Sequence, residues 1–421
     1  MAGIIGAIFL SPEAVMRLIH TSDWHLGQNF YTKSRAAEHH AFLDWLLETV
    51  KQQRADAIIV AGDIFDTQFP PSYARECYNR FVVNLQATGC PLYILGGNHD
   101  GVATLNESRG LLACLNTQVT ASIPPEDVPP PVTLIPQRDG TPGAILCPVP
   151  FLRPRDLLHS QAGQSASDKQ QNLLEAIAAY YQRSYQAALA LRGDRPLPII
   201  MTGHLTTVGA ATSDAVRDIY IGTLDAFPAS RFPAADYIAL GHIHRAQAVG
   251  GSQHIWYSGS PIALSFDESG PVKSVNLVTF AEGKLARVTP LPVPVTQPLA
   301  TLKGSLDSLT RQLNDWQSDP ASPPCWLDIE INSDDLLHDA RQQIRDITAP
   351  LPVEVLLVRR SREQRQQVIA RQHSETLSEL SVQDVFERRL DAAGAGEEQR
   401  TRLRPLFART LETLNNPEEQ A

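Results

Sequence analysis

Up to Phe280 the chain alternates short apolar, β-rich runs with longer stretches in which apolar residues recur every three or four positions. The short runs are Leu18–Ile19, Ala57–Val60, Leu92–Leu95, Ala144–Leu146, Pro198–Met201 and Tyr237–Leu240. Between them, Glu38–Lys51, Tyr73–Ala87 and Asn172–Leu191 carry helical periodicity. Apolar strands alternating with amphipathic helices predict an α/β layered domain. The Pro-rich stretch 123–131 reads as a surface loop. Two further β-rich runs, 273–280 and 285–289, flank Ala281–Lys284 and predict a hairpin.

Beyond the hairpin the pattern changes. Pro290–Pro298 cannot form a central strand or a helix interior and predicts a stiff linker. Then come a helical run (305–316), an alternating strand (Trp326–Ile331), a second helix (335–348) and a strand (Val353–Val358), which together predict a small α+β unit. Near the end, Ser381 can cap a helix with Asp384 three residues on. Val382, Val385, Phe386 and Leu390 form one apolar stripe, and Leu403, Leu406, Phe407 and Leu411 form another. So short a helical hairpin has little core of its own. Its stripes must dock, either on the body of the protein or on a partner chain.

With 421 residues and 43% hydrophobic residues the chain can bury a sizeable core and exceeds one average domain. No apolar run approaches the roughly 18 residues of a membrane span. The five cysteines are scattered and form no C-x-x-C pair, which argues against a zinc knuckle or disulfide framework and suggests small buried hydrophobes in a reducing cytosol. The net charge of −10 lacks the basic footprint usual for nucleic-acid binders, though a local groove and bound cations can reverse the local sign. Residues 1–15 lack the basic start of a secretory signal, while Met16 opens a clean strand. Met16 is therefore the expected natural start, and residues 1–15 a non-native or disordered extension.

Five strand ends carry metal-binding side chains. The first runs into Asp23 and His25, which in an extended chain face the same side and can grip one ion. The others lead to Gly62-Asp63 with Asp66 beyond, to Gly97-Asn98-His99-Asp100, to Gly203-His204 and to Gly241-His242-Ile243-His244. Ligands of α/β sheets sit beyond the carboxyl ends of strands, and a glycine before the ligand lets backbone approach closely. Carboxylate, amide and imidazole donors together suit Mn²⁺, Fe²⁺ or Zn²⁺. Any one of these pieces is commonplace, but five at successive strand ends are specific. His20, His39, His40, His159, His254, His338 and His373 lack metal spacing and are expected on the surface or satisfied in the core.

The ordered set DxH, GD, GNHD, GH and GHxH resembles the calcineurin-like metallophosphoesterase superfamily. The segments SDWHLGQNFY, AGDIFDTQFPPSYA, GGNHDGVATLNESR, GHLTTVG, GTLDAFP and LGHIHRAQ are similar to those of the bacterial SbcD nuclease family. That resemblance implies a four-layer α/β/β/α metallophosphoesterase domain over 16–289, an α+β DNA-capping domain over 299–360, and a linker with partner-binding helices over 361–421. It implies two divalent ions, Mn²⁺ above all, bridged by Asp63. Asp23, His25 and His244 would complete one site, and Asn98, His204 and His242 the other. His99 would face the scissile phosphate, with Asp100 orienting or charge-tuning it. Where archaeal and eukaryotic relatives usually carry a second histidine this chain has Asp66, which either holds a ligand in place or merely caps a turn.

The same resemblance implies a cytoplasmic, nucleoid-associated DNA-repair and recombination nuclease acting on duplex ends, hairpins and single strands. It would work in a two-plus-two assembly with an SbcC-type coiled-coil ATPase docked on Val382, Val385, Phe386, Leu390, Leu403, Leu406, Phe407 and Leu411. Arg359, Arg360 and Arg362, with Arg35, Arg153 and Arg155, are candidates for phosphate contact. The core motifs alone also permit a phosphatase or cyclic-nucleotide phosphodiesterase. However, protein phosphatases of the superfamily usually show GDxxDRG and GNHE, where this chain has Thr67 and Gln68 after Asp66, and Asp100 after His99. A non-enzymatic scaffold for the ATPase would not need so full a donor set.

Overall fold

The computed structural model describes residues 15–158, 165–208, 210–211, 226–317, 322–332, 337–360, 386, 389–390, 399–400 and 402–407. Two six-stranded sheets lie face to face. In the first, β1 (Met16–Thr21), β4 (Ala57–Val60), β5 (Leu92–Leu95) and β6 (Thr117–Thr120) run parallel, with β13 (Ser274–Ala281) and β14 (Lys284–Pro292) added antiparallel in the order β14-β13-β1-β4-β5-β6. In the second, β8 (Pro142–Cys147), β9 (Ile199–His204), β10 (Tyr237–Gly241) and β12 (Ile255–Tyr257) run parallel between antiparallel edges β7 (Thr133–Pro136) and β11 (Gln247–Ala248). Two-residue strands β2 (Asn29–Phe30) and β3 (Lys33–Ser34) pair as a separate small hairpin.

Strand alternation sorts the apolar residues into layers. Leu18, Ala57, Ile59, Tyr93 and Leu95 of the first sheet meet Ala144, Leu146, Ile200, Tyr237 and Ala239 of the second. Their neighbours Ile19, Ile58, Val60, Leu92 and Ile94 face helices α1 (Ala36–Gln53) and α2 (Ser72–Gln86) and the short α3 (Val102–Asn106) and α4 (Arg109–Ala113). Ile199, Met201, Ile238 and Leu240 face the short α5 (Pro154–Leu157) and the long α6 (Ala166–Arg192), the latter opened by a Ser165–Asp168 capping box. The layers are therefore α/β/β/α. The Pro-rich 290–298 stretch differs in part from a linker: Pro290 and Pro292 end strand β14. That strand pairs only with β13, and an edge strand tolerates residues that cannot donate to a ladder.

The small unit is a three-stranded parallel sheet of β15 (Leu299–Gly304), β16 (Cys325–Ile331) and β17 (Val353–Arg360). Helices α7 (Leu306–Asn314) and α8 (Leu337–Thr348) cover one face through Leu309, Leu313, Ala340 and Ile344. The other face meets the larger domain, where Trp326 packs with Phe30 and Phe266. Central β16 is buried on both sides despite its alternating sequence, because Arg359 of β17 neutralises the buried Asp328 at 2.8 Å and approaches Glu330 at 3.5 Å. Phe386 and Phe407, from the two terminal helical stretches, stack with centroids 3.9 Å apart.

Candidate metal centre

The parallel strands β1, β4 and β5 of one sheet and β9 and β10 of the other end at a shared edge of the sandwich, and the chain turns there over the site. The turns are built from left-handed residues. Asp23 (φ 55°), His25 (φ 46°), Asp63 (φ 52°) and His242 (φ 91°) all adopt positive φ, which costs a residue bearing Cβ. Asp23 and His25 are thus brought together by a tight turn rather than by the extended chain expected. Backbone bonds to the β4 turn impose it: Asp23 N–H donates to the Gly62 carbonyl at 3.0 Å, and His25 N–H to that of Asp63 at 3.1 Å. Gly62 (φ 97°) and Gly97 leave room for the site, since a Cβ at either would collide with His204 or Asp63.

The donors converge. Ligand atoms of Asp23, His25 and His244 lie within 4.8 Å of one another, as do those of Asp23, Asp63 and His204, and those of His25, Asp63 and His99. Asn98 Oδ1 is 2.8 Å from His204 Nε2. The His242 ring sits 5.4 Å from that of His204, and its amide donates to Asp23 at 3.0 Å. Asp63 stands between the groups: its Oδ2 is 3.2 Å from His204 Nε2 and 3.6 Å from His25 Nε2, and its Oδ1 accepts from the His99 amide. Asp23, Asp63, His25, His204, His242 and His244 are all buried.

The charges are arranged for cations. Burial would raise the Asp63 carboxyl, but the neighbouring His204 and His25 outweigh it and hold it well below the usual range. Burial would lower His204, but Asp63 outweighs it and pushes the ring up to about 9. A proton there does what a cation would do. His242 is held well below its ordinary value, first by burial and then by His204. Among the described residues, the buried Nε2 atoms of His25 and His242 have no hydrogen-bond partner. Unpartnered buried imidazole nitrogens beside an ionised carboxylate fit divalent-cation ligation.

A second tier of contacts orients the rings. Asp66 Oδ1 lies 3.1 Å from His25 Nδ1, so this aspartate holds a donor and is not merely a turn residue. Glu268 Oε1 lies 3.0 Å from His244 Nδ1, and Lys273 Nζ is 2.5 Å from Glu268 Oε2 and 3.0 Å from the His244 carbonyl oxygen. Neither Glu268 nor Lys273 was foreseeable, because a single acid 24 residues beyond its histidine has no local spacing to mark it. Asp100 is expected to orient or charge-tune His99. Its carboxylate accepts from the amides of Ile64, Phe65 and Gly97 and so ties two site loops together. His99 Nδ1 donates to the Asp66 carbonyl at 2.8 Å. Beyond the rings lies a cleft of about 290 Å³, bordered by His25, His99, His244, Asp66, Gln28 and Tyr31.

The basic candidates separate. Arg35 is 1% exposed, bonded to Glu38 and to the Ala263 carbonyl at 2.7 Å, so it braces the core and cannot reach a phosphate. Arg359, within β17 rather than after it, is engaged by Asp328. Half-buried Arg153 donates to the carbonyls of Gly97, Asp100 and Ala121 behind the Asn98 turn. Arg155 is exposed, and Arg360 closes β17. Among the histidines set aside, His39 is buried with neither ring nitrogen partnered among the described residues, contrary to expectation. His20 bonds the Tyr237 hydroxyl across the two sheets at 2.9 Å. Cys114 is exposed, whereas the other four cysteines are buried. Leu390 is buried, while Leu403 and Leu406 are exposed. The expectations for residues 1–14, Val382, Val385, Leu411, Arg362, His159 and His373, and for the His338 side chain, lie outside the described residues. Among the described residues no helix is long and apolar enough to cross a membrane.

The chain is similar to known proteins. The family model of the calcineurin-like phosphoesterases matches residues 16–246, and that of the type 5 capsule protein repressor C-terminal domain matches residues 295–393. The chain is 64% identical over 406 residues to the SbcD component of nuclease SbcCD from Escherichia coli (strain K12), covering 96% of this chain and all of that one. The same-named component from Rhodobacter capsulatus is 36% identical over 311 residues, 70% of this chain and 76% of its own. That of Bacillus subtilis is 28% identical over 328 residues, 76% of this chain and 80% of its own.

Proposed function

This chain belongs to the calcineurin-like phosphoesterases, in the SbcD family of nucleases, and from that membership we propose that it is a DNA nuclease working at two divalent cations. The observation that carries the proposal is the convergence of donors from five strand ends around Asp63, with buried His25 and His242 nitrogens unpartnered among the described residues. Asp63 would bridge the two cations. Asp23, His25 and His244 would hold one, and Asn98, His204 and His242 the other. Mn²⁺ suits this mixed oxygen and nitrogen set. Bound there, such ions supply the positive charge that polarises a phosphodiester and lowers the pKa of water at the site.

The chain's own groups do the rest. Asp66 and Glu268 keep Nδ1 of His25 and His244 engaged, so each ring presents Nε2 to the site. His99, tethered through Nδ1 to the Asp66 carbonyl, would exchange a proton with the leaving oxygen. General-acid help of this kind is worth about 10²–10⁴-fold. Asp100 clamps the turn that presents Asn98 and His99. No serine or cysteine nucleophile is required, because water attacks.

Exonucleolytic cutting at duplex ends and endonucleolytic cutting of hairpins, in the cytoplasm and within a two-plus-two assembly with an SbcC-type ATPase, complete the proposal. Exposed Leu403 and Leu406 support a partner surface on the terminal helices. The test is cleavage of hairpin DNA with Mn²⁺ by the purified chain and by its Asp63→Ala and His99→Ala variants. Near-wild-type cleavage by either variant would sink the assignment of the site. Preference for a phosphopeptide over DNA would move the chain to the phosphatases.

A further inference from the structure

The β2–β3 hairpin turns on Tyr31 (φ 46°) and Thr32 (φ 77°). A two-residue turn with both residues left-handed ordinarily selects Asn and Gly. Here it holds an aromatic and a β-branched residue, and strain of this kind persists only where the surroundings enforce it. They do. Phe30 stacks on Trp326 of the small unit (5.7 Å, 18° between planes), packs edge-on to Phe266 at 5.0 Å and lies under the Arg35 guanidinium at 4.9 Å. Lys33 forms an ion pair with Glu354 of β17. The hairpin is thus clamped between the two folded units. Tyr31 is backed by Phe266 at 5.5 Å yet 46% exposed, and it borders the same cleft as His25, His99 and His244.

We propose that Tyr31 is a stacking platform for an unpaired nucleobase next to the scissile phosphodiester. This inference rests on the nuclease reading above. The donors are recessed, only 0–4% exposed for Asp23, His25, Asp63 and His244, and an unpaired, flexible strand reaches recessed donors more readily than a stiff duplex does. Unstacking a base costs a few kcal/mol. An aromatic ring beside the site offsets that cost without reading sequence, since every base offers a π-face. The small unit, through Trp326 and Glu354, fixes where that ring stands. Hairpin loops and frayed ends, whose bases are already unpaired, would gain most.

The test measures kcat and KM with Mn²⁺ on hairpin DNA and on the same hairpin carrying an abasic site beside the scissile phosphodiester, which leaves no ring to stack. It uses the full chain and the variants Tyr31→Ala, Tyr31→Phe and Tyr31→Trp. Tyr31→Ala is expected to raise KM for hairpin DNA about tenfold or more, with Phe and Trp within about twofold of the wild type. Its loss on the abasic hairpin is expected to be several times smaller. A 2-aminopurine placed beside the cleavage position should be quenched on binding by the wild type and the Trp variant, and far less by the Ala variant. Equal DNA kinetics and equal quenching in Tyr31→Ala would overturn the proposal. So would equal losses on both substrates, which would make the hairpin a brace for the metal centre. Failure of the wild type on both substrates would instead remove the nuclease reading, and this inference with it.

Discussion

Glu268 offers the sharpest test of how the metal centre is held. Its side chain is 5% exposed in a ring of four partners: His244 Nδ1 at 3.0 Å, Lys273 Nζ at 2.5 Å, the Leu264 amide at 3.1 Å and Ser260 Oγ at 3.3 Å. Burial would raise its carboxyl, but His244 and Lys273 outweigh burial and keep it ionised. Glu268→Ala removes the anion and leaves the Lys273 ammonium, 11% exposed, without its counter-charge. Removing one member of a buried pair costs about 3–5 kcal/mol, or roughly 6–20 °C in Tm for a domain of this size. The freed His244 ring should also weaken cation binding by about 10–100-fold, the usual effect of losing an outer partner, equal to roughly 1.4–2.7 kcal/mol. Glu268→Gln separates the two effects. Its oxygen can still accept from one neighbour, but its amide must then face the other donor, so affinity should fall between wild type and Ala. Calorimetric titration with Mn²⁺ reads both sites, and only the one built from Asp23, His25 and His244 should weaken strongly. If Glu268→Ala binds two Mn²⁺ with wild-type constants while its Tm falls, Glu268 supports the fold and not the ligand.

Three further outcomes follow from the same structure. His20 is fully buried between the sheets, and burial pushes it down to about 3 from 6.5, so in acid the unfolded chain binds a proton that the native one refuses. Stability should therefore fall as pH drops below about 6.5, reaching roughly 2 kcal/mol from this residue at pH 5. Urea unfolding of His20→Phe at pH 7 and pH 5 should show a shallower loss than wild type, and an identical slope would refute the assignment. Arg35→Met should cost about 3–5 kcal/mol in unfolding experiments yet leave the salt dependence of DNA binding unchanged, because the guanidinium is bound to Glu38 and to the Ala263 carbonyl. A salt slope reduced by about one unit would mean that it does touch phosphate. Gly97→Ala would drive a Cβ into the Asp63 carboxylate and amide, and should abolish tight Mn²⁺ uptake in the calorimeter while helical circular dichroism is retained.

Much of the site was legible in the sequence, because short-range chemistry writes it into the chain: a turn glycine, then a donor, at the end of an apolar run. Asp63, Asn98, His204, His242 and His244 announce themselves at strand ends in this way, while Asp23 and His25 stand at a strand end with no glycine before them. The apolar periodicity likewise marks β4 at Ala57–Val60 and α2 within a residue of its observed ends. It could not say which face of each strand meets the other sheet, since both faces are apolar in a strand covered on both sides. Only the packing of Leu18 against the second sheet and Ile19 against the helices decides that. Tertiary structure alone also decides the fate of isolated charges. Arg35, Arg359 and Glu268 look interchangeable with any surface ion along the sequence, yet each is placed by a partner distant in sequence or by a neighbouring strand. The carbonyl of Asp66 accepts from His99 Nδ1, a contact no spacing in the sequence marks. A side chain's chemistry is a property of its residue, but its burial and its partner are properties of the fold. Local order therefore revealed which atoms could bind a cation, and only the folded chain decided which atoms hold them still.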